Sequence, residues 1–187
     1  MFNRFREAKR KRLKSEILDF EERPLKETKI ARAKELRRND QLEESQELLL
    51  ELLEEYGEDP IVLFEVGGSY DVLGEEREAI PYYRKAIEAG LEGDDLTECL
   101  VCLGSSYRNI GEFEQAIATL EKGAEQFPED NSMRVFLALA YYSDAREDES
   151  VSILLDVLLK TTTDKSILAF SDALEYYKDN LDEVWEE

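Results

Sequence analysis

Between Thr97 and Asp130 the chain places Leu100, Leu103, Gly104 and Tyr107 at i, i+3, i+4 and i+7. That spacing is one stripe of a helix. Gly111 follows, then Ala116 and Leu120 at a second helical spacing, then Pro128. Gly104 carries no side chain, so a second helix can approach closely there, and Ala116 offers a small surface for it. Gly111 falls between the two stripes, where a positive φ is open to glycine at little cost. Pro128 stops the second helix. The pattern therefore specifies a helical hairpin, and it recurs. Leu63, Val66, Gly67, Tyr70, Gly74, Ala79, Tyr83 and Ala86 repeat it upstream. Leu137, Ala138, Tyr141, Ala145, Ser150, Leu154 and Val157 repeat it downstream. A weaker copy opens the series, with Ala33, Leu36, Leu42, Ser45, Leu49 and Leu52 in place but Lys29 and Arg32 where bulky apolar residues belong. The units start at 26, 60, 97 and 131, in steps of 34, 37 and 34.

A 34-residue helix–turn–helix unit with this order of large, Leu-Gly, Tyr, Ala, large and Pro positions resembles the tetratricopeptide repeat (TPR). The resemblance implies an all-α, right-handed solenoid of about four helical hairpins, with repeats at 26–59, 60–96, 97–130 and 131–164. Residues 60–160, with the Gly-Leu-Glu-Gly-Asp-Asp linker, also resemble a subgroup of short bacterial TPR proteins. In that linker, Asp95 followed by Glu98 reads as a capping box for the helix that comes next.

The family resemblance also implies a function and a site. TPR proteins bind other proteins, and the first helix of each repeat lines a concave groove through positions 2, 5, 9, 12 and 13. Those positions are Phe64, Gly68 and Asp71 in the second repeat, and Val101, Ser105, Arg108 and Asn109 in the third. In the fourth they are Val135, Leu139 and Tyr142. Phe64, Gly68 and Val101 stand where some TPR adaptors place the polar residues of a carboxylate clamp. The expectation is therefore an apolar groove with one central cation, Arg108, that holds an apolar peptide or helix.

The residues that carry chemistry are thinly represented. The chain has no histidine, which removes the commonest general base and metal ligand. Cys99-x2-Cys102 has no second pair to complete a zinc site and lies within a repeat helix, where small buried thiols are ordinary. Carboxylates cluster at expected turns and helix starts, where they complement the helix dipole. A non-enzymatic protein-binding module without cofactor or metal is expected. Two cysteines without a disulfide framework fit a reducing cytoplasm.

Charge divides the chain. Residues 1–14 hold seven Lys/Arg and one Glu, whereas residues 15–187 hold 17 basic and 44 acidic residues. Such an acidic body repels nucleic acid and anionic membranes, leaving residues 1–14 as the one stretch suited to either. Residues 1–25 read as a basic amphipathic helix closed by Pro24. Its Phe2, Phe5, Arg10, Leu13, Ile17 and Phe20 suit self-association, so the alternative expectation is a homodimer whose partner is a second copy. Residues 165–187, with Ile167, Leu168, Phe170, Leu174, Tyr177, Leu181 and Trp185, are expected to form a helix capping the last repeat.

Overall fold

The structure, a computed structural model, describes residues 25–184. The expected N-terminal amphipathic helix lies outside the described residues. Among those residues the chain is a succession of helices: α1 (25–38), α2 (Leu42–Glu55), α3 (Pro60–Asp71), α4 (Glu76–Glu88) and α5 (Gly93–Asn109). Then come α6 (Phe113–Gln126), α7 (Asn131–Ser143), α8 (Glu147–Thr161), α9 (Lys165–Leu168) and α10 (Ser171–Tyr177). Odd and even helices pair into hairpins, and the main contacts between hairpins join neighbours along the stack. The result is a helical-hairpin solenoid.

Small residues set the hairpin crossings. Ala33, Gly67, Gly104 and Ala138 occupy the same place in the four first helices, and all are buried. A methyl built on Gly67 would sit 2.7 Å from the Tyr83 ring, and one on Gly104 would sit 2.5 Å from Leu120. The side chain that fills the space over Gly104 is thus Leu120. Ala116 lies fully buried in the same cluster. Three such clusters follow one another, and half-buried residues join them. Tyr70 and Tyr82, stacked with centroids 5.5 Å apart, border both the first and the second. Ile87, Leu96 and Tyr107 border both the second and the third. The core is therefore continuous, as stacked repeats require.

The turn between helices is identical in all four repeats. Asp40, Gly74, Gly111 and Ala145 each take a positive φ, at 62°, 76°, 83° and 57°. The following amide bonds back to the carbonyl five residues earlier, Gln41 to Leu36, Glu75 to Tyr70, Glu112 to Tyr107 and Arg146 to Tyr141, at 2.9–3.0 Å. This is the left-handed helix stop that satisfies orphan carbonyls.

The weak slots of the terminal repeats also find a physical account. Lys29 and Arg134 occupy the position that Leu63 and Leu100 fill in the middle repeats. Lys29 Nζ bonds Glu55 Oε1 at 2.8 Å, and Arg134 Nη2 bonds Asp156 Oδ2 at 2.5 Å. In each case a cation reaches the second helix of its own hairpin instead of filling a hydrophobic slot.

Two local expectations are corrected. The capping box at Asp95 does not form, because α5 already starts at Gly93, with Glu92 as its cap residue. The three extra residues of the linker extend α5 to 17 residues, against 12 for α3 and 13 for α7. The C-terminal segment is not one helix. It breaks at Ala169–Phe170 into the short α9 and α10, neither of which contributes a fully buried residue.

Candidate functional site

The first helices, α1, α3, α5 and α7, present one continuous face. Its N-terminal half contains a cavity of about 340 Å³ bounded by α1, α3, α4 and α5. Lys34, Arg37 and Arg38 form one wall, and Gly68, Asp71 and Val72 form the floor. The two sets lie 34 residues apart, one repeat.

Glu65 anchors this wall. Its side chain is 2% exposed, and its two oxygens meet Lys34 Nζ at 2.5 Å and Arg37 Nη2 at 2.7 Å. A carboxylate this deep requires paired charge, since desolvation would otherwise outweigh its benefit. Gly68 makes the reach possible. A methyl there would lie 2.9 Å from Arg37 Nη1, so the guanidinium passes over α3 at its bare backbone.

Asp71 is held by hydroxyls. Tyr83 Oη donates to Oδ2 at 3.0 Å, and Ser106 Oγ donates to Oδ1 at 3.2 Å. Burial raises its pKa above the usual carboxylate value, and the two hydrogen bonds oppose that rise. Both oxygens are thereby engaged inside the protein. Cys102 also borders the cavity, and burial pushes its thiol up to about 11. Cys99, behind it, is pushed up to about 12 by the same cause. Both thiols stay protonated near neutrality, so neither is a ready nucleophile.

The C-terminal half of the face is different. Arg108 donates from Nη1 to Ser143 Oγ at 3.3 Å and from Nη2 to Asn109 Oδ1 at 3.0 Å. Its Nε is buried without a hydrogen-bond partner, and it forms no ion pair among the described residues. Asn109 Nδ2 in turn donates to Glu76 Oε1 at 3.1 Å, tying α5 to the start of α4. Val101, Ser105 and Val135 are half-buried, while Leu139 is 39% and Tyr142 66% exposed.

The structure thus distributes the expected groove residues unevenly. Phe64 is buried, with its ring centroid 6.0 Å from that of Tyr83, and belongs to the core. Gly68 and Asp71 lie in the charged cavity. Arg108, Leu139 and Tyr142 lie on the α5–α7 half. The expectation of an apolar groove with a single central cation is corrected, because Lys34, Arg37 and Arg38 also line it. The 34-residue period pointed to them: they occupy positions 9, 12 and 13 of the first repeat. Glu65 gave no such signal, being embedded in the apolar run from Ile61 to Val66. The residues expected to self-associate, Phe2, Phe5, Arg10, Leu13, Ile17 and Phe20, lie outside the described residues.

A hairpin solenoid with this repeated turn and this lined face defines a class of helical-repeat proteins. The family model for the tetratricopeptide repeat matches residues 60–174, more than half of the chain. The chain belongs to the tetratricopeptide repeat family, and as such is a protein–protein interaction module. Solved structures share its architecture. MamA (residues 41–end) from Desulfovibrio magneticus RS-1 superimposes with a TM-score of 0.64 at 17% identity, over 83% of this chain and 86% of that one. A Podospora anserina protein of the kinesin light chain type, with nearly identical TPR-like repeats, gives 0.64 at 19% identity, over 82% and 86%. The anaphase-promoting complex hetero-tetramer Cut9–Hcn1 gives 0.65 at 16% identity, over 79% of this chain and 29% of that one. At these identities the likeness is one of fold. No helix among the described residues is long and apolar enough to cross a membrane.

Proposed function

We propose that the chain is a non-enzymatic scaffold that holds a peptide or protein segment against the face formed by α1, α3, α5 and α7. The observation that carries this reading is the α5–α7 half. There, Leu139 and Tyr142 stand out beside Arg108, whose Nε has no partner among the described residues. Exposed aromatic and aliphatic side chains around a cation are the usual anchors of a recognised segment. The absence of histidine and the raised, protonated thiols support a binding rather than a catalytic role. The free thiols agree with a reducing cytoplasm.

The test is a comparison of bound proteins recovered with wild type, Tyr142→Ala and Arg108→Glu. Both variants are expected to keep the wild-type melting temperature to within a few degrees and to lose the bound partner. Retention of the same partner by both would overturn the groove assignment.

A second reading is self-association through residues 1–25. It is favoured by an acidic cleft at the opposite end of the stack from α1, whose charge is complementary to this segment.

A further inference from the structure

At the C-terminal end, α8 and the segment after α10 enclose a cleft of about 660 Å³. Tyr141, Ile153 and Leu181 give it apolar surface, and carboxylates surround it. Some of these are already occupied: Glu149 pairs with Arg146 at 3.0 Å, and Glu183 accepts from the Tyr176 hydroxyl. The one cation that lines the cleft among the described residues, Lys178, is engaged by Glu175 at 2.5 Å and Asp156 at 3.6 Å. Three carboxylates, Asp148, Asp179 and Asp182, form no ion pair among the described residues. Asp148 and Asp182 both line the cleft, and their mutual repulsion raises the pKa of Asp148. A cation arriving between them would remove that repulsion.

We propose that this cleft receives the basic segment 1–14 of a second copy of the chain. The inference rests on the self-association reading and names where the segment docks. The segment offers seven cations against one Glu, interspersed with Phe2, Phe5 and Leu13, so it matches both the acidic rim and the apolar floor. The other cavity sets Lys34, Arg37 and Arg38 beside Glu65, Asp71 and Glu98, so its charges balance and it offers the segment no net attraction. The donor is a second copy because the two ends are far apart in the stack. The segment enters at α1, which packs on α2 and α3, whereas the cleft lies on α8 and the chain after α10. Reciprocal exchange between two copies gives a closed two-fold dimer.

Charge reversal in the full chain tests this, read by light-scattering mass at low and high salt, with melting curves as the check on folding. The wild type is expected to form a dimer that dissociates as salt rises. Lys9→Glu, Arg10→Glu, Lys11→Glu together, or Asp148→Lys, Asp179→Lys, Asp182→Lys together, should each weaken dimerisation about tenfold or more, as close interfacial charge pairs do. Asn at the three aspartates should give a smaller loss in the same direction. Combining the two reversals should restore the dimer. If the segment reversal disperses the dimer and the cleft reversals do not, the docking site is wrong while self-association stands. Failure of the combined reversal to restore the dimer also overturns the site. A wild type that is monomeric at every salt and concentration overturns both the site and the self-association reading.

Discussion

Ala145 stands where Gly74 and Gly111 stand in the middle repeats, with the same left-handed backbone at φ 57°. A side chain in that region costs roughly 1 kcal/mol that glycine does not incur. Ala145→Gly is therefore expected to stabilise the chain by about 0.5–1 kcal/mol, measured by urea denaturation. The opposite sign is expected at Gly104, where a methyl would meet Leu120 at 2.5 Å. Gly104→Ala should cost about 1–3 kcal/mol through overpacking, read in the same experiment. An unchanged midpoint would contradict the packing described at that crossing. These residues were legible in the sequence because the period puts a small residue at each crossing and at three of the four turns. The wall of Lys34, Arg37 and Arg38 was equally periodic, but Lys29 and Arg32 sit in apolar slots of the same helix and make the repeat look degenerate. Lys29 lies there because it bonds Glu55 on α2, a partnership that pattern alone does not reveal.

At the scale of the helices, the period fixes caps as well as crossings. Asp59, Asp130 and Asp164 end their repeats and cap α3, α7 and α9, accepting from backbone amides at 2.8–3.1 Å. Asp130→Ala should cost about 1 kcal/mol and raise amide exchange in the first turn of α7. The α7–α8 hairpin is also joined by Asp156. Burial would raise its pKa, but bonds from Lys160 and Arg134 outweigh that and hold it at about 2. The lowered value means that the ionised form is favoured on folding. The stabilisation is complete above about pH 4, where the unfolded carboxyl is ionised, and is lost as pH falls toward 2. Asp156→Asn should accordingly lower the melting temperature at pH 7 and flatten its fall between pH 4 and pH 2. The C-terminal segment was the least legible element. Ile167, Leu168, Phe170 and Leu174 suggest one helix, yet the Phe170 backbone at φ −116° interrupts it. A short apolar pattern without a buried partner does not decide between one helix and two.

The whole molecule is a line of contacts with two dissimilar ends. Its second helices repeat one buried position as Leu49, Tyr83 and Leu120, all fully enclosed, and the fourth member, Leu154, is 38% exposed. No further hairpin among the described residues covers it. Protection against hydrogen exchange should therefore peak in α3–α6 and fall toward α9–α10, where it should be lowest. Uniform protection along the stack would show that the repeats unfold as one unit. The buried pair at Glu65 bears on a different matter, the interchange of repeats. A tandem array is commonly lengthened or shortened by whole units, because neighbours meet through similar apolar surfaces. Here the first and second units meet through a carboxylate that, among the described residues, Lys34 and Arg37 neutralise. A different unit packed against α3 would bury that charge without its cations, so this junction resists the exchange of units by which repeat proteins change. The first repeat is bound to its neighbour by inheritance as well as by contact, and an engineered array that joins another unit there needs Glu65 replaced along with it.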